Sequence, residues 1–265
     1  MSQLEFSNVW KEYGDQVVLE RLNLSVEEGE FCSIVGASGC GKTTFLRMLL
    51  GEEGPSRGSI ELDGKPLPDE PGPDRGVVFQ RYSVFPHLTV LQNVMLGPEL
   101  QKAPLTGRLF GQAKRAARES ATEVLASVGL DHALEKYPAE LSGGMQQRLA
   151  LAQSLITKPR ILLLDEPFGA LDPGIRADMH ELILDLWQQT GLTVFMITHD
   201  LQEGFHLGTR LLVFDKVRTD AQALGAYGAT VTYDLSICST SGSTIDGIRK
   251  HVEEDVPRAM EAAAL

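Results

Sequence analysis

The sequence is short of cysteine, of long apolar runs and of basic charge, and each shortage removes a class of function. Its cysteines are Cys32, Cys40 and Cys238, an odd number spaced like neither a zinc site nor a disulfide framework. Cysteine chemistry is therefore not expected, and a reducing compartment is. Although 43% of the 265 residues are hydrophobic, no apolar stretch approaches the ~18 to 20 residues that a membrane-spanning helix needs. The opening segment, MSQLEFSNVWKEYG, has neither the basic nor the apolar region of a signal peptide, so the chain is expected to stay in the cytoplasm. Basic side chains number 24 against 36 acidic ones, and the resulting charge of −12 would repel a phosphate backbone. Nucleic acid is not expected as a partner.

What is present is an alternation of strands and helices. Short apolar segments, LEFSNVW, FCSIVG, GSIEL, GVVFQ, ILLLDEP, TVFMITH and RLLVFD, read as strands. Helical patterns lie between several of them, in KTTFLRMLL, KRAARESATEVLASV, MQQRLALAQSLI and IRADMHELILDLWQQT. That order predicts an α/β domain around a largely parallel sheet. The continuous apolar runs Phe31 to Val35 and Ile161 to Leu164 suit central strands covered on both faces. The opening segments, up to about residue 35, are expected to form an antiparallel patch with GSIELDG, where Asp63-Gly64 is a turn pair. PLPDEPGPDRG reads as a loop. Beyond Thr219 the pattern loosens before a strand, TVTYDLSI, and a final helix that sets Ile245, Ile248, Val252 and Val256 on one face.

GASGCGKTT, residues 36 to 44, follows a predicted strand and opens a predicted helix. It fits the phosphate-loop pattern G-x-x-x-x-G-K-[ST] in the context that the pattern requires. The loop offers Gly36, Ser38, Gly39, Cys40, Gly41, Lys42, Thr43 and Thr44 to a nucleoside triphosphate. Glycines let the backbone wrap the β-phosphate, Lys42 reaches the β and γ oxygens, and Thr43 supplies a hydroxyl to Mg²⁺.

ILLLDEP is an apolar strand that ends in two adjacent carboxylates. Alone, such a run is usually a strand meeting solvent. Beside a phosphate loop, Asp165 is the candidate for the Mg²⁺ shell, and Glu166, pointing another way from the strand end, for polarising water. LSGGMQQR, residues 141 to 148, sets Ser142, Gly143 and Gly144 before a helix-forming run. Taken by itself it reads as an N-capped helix. It also offers a hydroxyl and bare N–H groups at a helix N-terminus, a second anion site in a chain that already has one.

In combination these segments resemble the ATP-binding subunit of an ABC transporter over roughly residues 3 to 215. LSGGMQQR matches that family's signature motif, at its usual place some twenty residues before ILLLDEP. Tyr13, Gln80 in VVFQ, GALD and His199 in MITHD follow in the family's order. The resemblance implies a P-loop NTPase core of ABC type, with an antiparallel β subdomain and a helical subdomain near residues 81–157, within a nucleotide-binding domain of residues 1–218. Residues 219–265 would be a C-terminal strand and helix extension. It further implies that Tyr13 stacks on adenine, that Gln80 reaches Mg²⁺ or the attacking water, that His199 contacts the γ-phosphate, and that Asp172 lies at a dimer seam. In the family, two subunits pack head to tail, and the phosphate loop of one and the signature loop of the other close on the same ATP.

FQRYSVFPHLTVLQNVMLGPEL, LSGGMQQRLALAQSL and LLLDEPFGALD are most similar to ATPases of importers for nitrate, sulfonates, taurine and related small solutes, with urea- or amide-related solutes within the implied range. The implied partners are a second copy of the chain, integral membrane permease subunits and, indirectly, a solute-binding protein. The implied place is the cytoplasmic face of the inner membrane. Gly204 and Gly208 in EGFHLGTR stand where relatives more often have alanine and aspartate, and APLTGRLFG reads as an inserted loop. A cytosolic ABC ATPase outside transport, such as an iron–sulfur assembly scaffold ATPase, keeps every motif and is the alternative.

Overall fold

The computed structural model describes residues 2–79, 83–103, 107–218 and 225–237. Its elements run β1 (Ser2–Tyr13), β2 (Gln16–Glu27), β3 (Phe31–Gly36), α1 (Lys42–Leu50), β4 (Arg57–Leu62), β5 (Lys65–Pro66), β6 (Arg75–Val78), α2 (Val90–Lys102) and α3 (Gly111–Ser127). They continue with α4 (Gly143–Leu155), β7 (Ile161–Asp165), α5 (Pro173–Thr190), β8 (Thr193–Ile197), α6 (Leu201–Leu207), β9 (Arg210–Asp215) and β10 (Thr230–Ser236). They fall in two compact units. One is built from the two ends of the chain, up to Gly72 and from Thr193 onward, and the other is the continuous segment Pro73–Leu192.

The first unit holds two sheets. β2, β1, β4 and β5 are antiparallel in that order, and β4 turns into β5 at Asp63-Gly64, whose φ angles are 53° and 71°. The expected antiparallel patch stops at Glu27 rather than near residue 35. A turn at Gly29, φ 80°, reverses the chain, and β3, buried along nearly its whole length, instead lies parallel to β8 on one side and β9 on the other. β10 adds to β9 in antiparallel sense. Phe45 of α1 pins that helix to the sheets: it is fully buried, with ring centroids 5.1 Å from Phe6, 5.9 Å from Phe195 and 5.2 Å from Phe214. Cutting such a residue to alanine costs about 3 to 5 kcal/mol.

In the second unit β6 and β7 pair in parallel, and α2, α3, α4 and α5 form the helical part. The expected helices of this unit are present, each starting two or three residues before its predicted first residue. α2 is an addition. It begins at a capping box in which Thr89 Oγ1 accepts from Gln92 N–H and Gln92 Oε1 accepts from Thr89 N–H.

The C-terminal stretch belongs to the first unit. Ahead of β10, Val17 N–H donates to Gly225 O, Ala229 N–H to Val18 O and Glu20 N–H to Ala229 O, so residues 225–229 strap β2. Arg218 ties to Glu20 at 2.6 Å, and Leu235 and Ile237 pack on the buried cluster of Val35, Leu211 and Val213. The predicted helix carrying Ile245 to Val256 lies outside the described residues.

Candidate nucleotide site

The phosphate loop is shaped by what its glycines allow. Gly36, at the end of β3, has φ 153°, and a Cβ there would lie 2.2 Å from Phe214 O of β9. Gly41, φ 84°, caps α1 against Leu19, whose Cδ2 would be 2.8 Å from an added Cβ. At Gly36 the backbone approaches a carbonyl more closely than a Cβ permits, and at Gly41 the left-handed φ itself disfavours a side chain. Lys42 lies across the loop, with Nζ donating to Gly36 O at 2.8 Å and Ala37 O at 2.9 Å. Ser38, Gly39 and Thr43 are exposed, whereas Cys40 is buried with its Sγ 3.7 Å from Lys42 Nζ. Burial pushes the Cys40 thiol up, and the ammonium only partly opposes it. The loop is a nest of N–H groups with a lysine over it and no ready thiolate.

Two other expected residues sit in the same unit. β3 and β8 run parallel with Ile34 opposite Ile197, so the phosphate loop and the turn Thr198–His199–Asp200 leave the sheet at one edge. Ligands of open α/β sheets bind outside such strand ends. His199 is exposed, and its neighbours hold the turn: Thr198 Oγ1 donates to the buried Glu203 carboxylate, while Asp200 caps α6 by accepting from Gln202 and Glu203 N–H. Gly208 closes this support from the far end of α6, where a Cβ would come within 2.6 Å of Ser33 Oγ on β3. An aspartate at that position would collide with the strand. Tyr13 ends β1, is 45% exposed, and donates its hydroxyl to Glu53; burial and that bond hold its pKa above the ordinary 10.0.

The second unit carries the remaining candidates. Asp165 ends β7, and Glu166 follows it with φ 46°, a left-handed backbone that is costly for a non-glycine residue and is typical of functional turns. The turn is anchored by Phe168, fully buried with its ring 4.7 Å from that of His180. β6 ends at Val78, opposite Leu164. Gln80 lies outside the described residues, but the segment from Phe85 to Thr89 is fixed by a residue that the sequence did not single out. Asn93, buried in α2, accepts from Phe85 N–H and donates to Phe85 O, Leu88 O and Thr89 O.

Ser142 is the N-cap of α4, its Oγ accepting from Met145 N–H at 3.3 Å. Ser142 and Gly143 are exposed, while Gly144 is buried: a Cβ there would sit 2.5 Å from Ile175 Cγ2 of α5. Gln146 and Arg148 reach back to Pro138 O and Val128 O, which holds the helix start in place. Asp172 stands exposed at the N-cap position of α5 and makes no capping hydrogen bond to that helix. Its carboxylate is not spent on its own helix end.

A glycine loop opening a helix after a buried parallel strand, with a lysine folded over it, defines a P-loop nucleotide-binding fold. The comparisons with known proteins narrow that class. The ABC transporter domain family matches residues 19–169. The nitrate import ATP-binding protein NrtD of Synechocystis sp. is 46% identical over 200 residues, spanning 76% of this chain and 71% of that protein. The bicarbonate transport ATP-binding protein CmpD of the same organism is 43% identical over 214 residues, 79% of this chain and 73% of its own length. Among solved structures, the dimeric post-hydrolysis state of the ATP-binding cassette MJ0796, bound to ADP and Pi, superposes with a TM-score of 0.69 at 30% identity, over 88% of this chain and 98% of that one. The chain belongs to the ABC transporter family, and is one of its ATP-hydrolysing, ATP-binding subunits. The expected fold, a P-loop core of ABC ATPase type, is the one observed. Among the described residues no helix is long and apolar enough to cross a membrane.

Proposed function

We propose that this ATP-binding subunit of an ABC importer powers uptake of a small solute of the nitrate, sulfonate or bicarbonate class, by ATP-driven head-to-tail closure of two copies. One observation carries the reading: the chain presents two anion-binding helix starts, the phosphate loop at α1 and the exposed Ser142–Gly143 nest at α4, and a single triphosphate bound in the phosphate loop leaves the second to a neighbour. The names of NrtD and CmpD support the solute class, and the dimeric MJ0796 structure supports the pairing.

In this reading Tyr13 stacks on adenine, the loop N–H groups and Lys42 bind the phosphates, and Glu166 takes a proton from the water that attacks the γ-phosphorus. ADP leaves as the phosphorus–oxygen bond to it breaks. His199 senses the γ-phosphate, Gln80 would reach either Mg²⁺ or the attacking water, and Asp172 faces the partner copy. The oxygen donors Thr43 and Asp165 are of the kind Mg²⁺ takes. The ion would neutralise phosphate charge. Each hydrogen bond to a charged phosphate contributes about 1.5 to 3 kcal/mol, so several made only in the closed pair make ATP a clamp and phosphate loss its release.

Permease subunits dock the pair peripherally to the cytoplasmic face of the membrane, with a solute-binding protein acting from the other side. Copurification after detergent extraction tests this. A polytopic membrane protein is expected to accompany the chain, and recovery with cytosolic partners alone would favour a scaffold ATPase instead.

A further inference from the structure

Tyr13 is held from two directions by residues outside every nucleotide motif. Lys11 lies two positions earlier on β1, hence on the same face of the strand. It is 8% exposed, with Nζ 2.8 Å from Gly54 O, 2.9 Å from Glu53 Oε2 and 5.1 Å from the centre of the Tyr13 ring. Glu53 stands just past α1, whose C-terminal turn closes at Gly51, φ 83°. The Tyr13 hydroxyl donates to the same Oε2 that Lys11 reaches, and Thr44 of α1 is also within reach of that hydroxyl. The ammonium is thus anchored twice and set over the ring, while the phenol oxygen is tethered to the turn that ends the phosphate loop's helix. Nearly half of the tyrosine stays open to solvent.

We propose that Lys11 and Glu53 are positioning residues that fix the Tyr13 ring as a preformed platform for the nucleotide base. The inference rests on the reading above, in which Tyr13 stacks on adenine. An exposed tyrosine at a hairpin end would otherwise lose side-chain freedom when a base binds, and the brace removes that loss beforehand. The cation on one side of the ring also draws its π-electrons inward, which makes the opposite face a better surface for an electron-rich purine. Because Glu53 follows directly from α1, the platform is held in register with the loop that takes the phosphates. Base and phosphate subsites are then spaced by one short, rigid stretch of chain.

The test is calorimetric titration of the 265-residue chain with ATP and, separately, with inorganic tripolyphosphate, which has no base. Glu53→Ala, Tyr13→Phe and Lys11→Met are each expected to weaken ATP binding about three- to tenfold and to leave tripolyphosphate binding unchanged. Glu53→Ala combined with Tyr13→Phe should weaken ATP no more than Glu53→Ala alone, since Tyr13→Phe cuts a tether that Glu53→Ala already removes. If Tyr13→Ala weakens ATP while Glu53→Ala and Tyr13→Phe match the unsubstituted chain, the brace is overturned and the stacking survives. Unchanged ATP affinity in Tyr13→Ala overturns the stacking and the brace with it. Equal loss of ATP and tripolyphosphate marks a general structural role and also overturns the proposal. Should Glu53→Ala fail to fold, Tyr13→Phe removes the same tether from its other end.

Discussion

Arg210 on β9 and Asp234 on β10 meet through two parallel hydrogen bonds of 2.7 Å, Nε to Oδ1 and Nη2 to Oδ2. The same guanidinium donates to Ser25 O and Glu30, so one side chain joins β10 to the residues on either side of the turn before β3. A chain ended after Ile237 is expected to keep its melting temperature and ATPase rate. One ended after Asp215 loses β10, the strap on β2 and the cover of Leu235 and Ile237, and should melt several degrees lower. Asp234→Ala alone, at a partly exposed pair, should cost about 1 kcal/mol or less, roughly 2 to 4 °C in a chain this size. Thermal melts of the three proteins decide this.

Gly36→Ala forces a carbon to 2.2 Å from Phe214 O, in backbone that cannot rotate away. ATP binding should be lost and the melting temperature should fall. Retention of both would mean that β3 and β9 can part at this point.

Glu166→Gln keeps shape and hydrogen bonding but removes the base, so turnover should fall about a hundredfold or more while ATP affinity holds. Lys42→Ala should weaken affinity itself. Steady-state ATPase assays alongside nucleotide titration separate the two defects.

Head-to-tail pairing predicts complementation. Ser142→Arg blocks the nest but spares its own phosphate loop, and Lys42→Ala does the reverse, so each variant alone should be nearly inactive. Mixed, they form some pairs in which one site carries both lesions and the other neither. ATPase activity should partly return on mixing, and no recovery would count against shared sites.

The Glu53 carboxyl titrates below its ordinary 4.5: burial pushes it up, but hydrogen bonds from Tyr13 and Lys11 and the charge of Lys11 outweigh burial. A depressed carboxylate contributes stability that is fully present above the unfolded value and is lost as pH falls through the folded one. The stability gap between the unsubstituted chain and Glu53→Ala should therefore be constant near neutrality and shrink below about pH 4.5. Melting curves between pH 7 and pH 3 measure it.

The nucleotide motifs were legible because each packs its chemistry into one short stretch with a fixed local shape: a glycine loop after a buried strand, carboxylates at a strand end, a capped nest. What supports them was not. Glu53 lies 40 residues from Tyr13, and nothing in either segment advertises the other. Asn93 reads as one polar residue in a helix until its bonds to Phe85 and Leu88 are seen. α2 did carry a signal, Thr89 with Gln92 three residues on, but Gly97 and Pro98 break the run and hide it. TVTYDLSI was readable as a strand, whereas its place beside β9, and the strap across β2, depend on pairing between distant segments that no local pattern encodes.

The division of the chain also sets an order of assembly. The segment Pro73–Leu192 is continuous in the chain, whereas β3 is made early and must wait for β8 and β9, its neighbours on both sides. At about 5 to 20 residues per second that wait, from Gly36 to the end of β9 at Asp215, lasts roughly 9 to 36 s. Throughout it the nascent β3, FCSIVG, has both hydrogen-bonding edges open, so the phosphate loop that it carries takes shape only once β9 has been made.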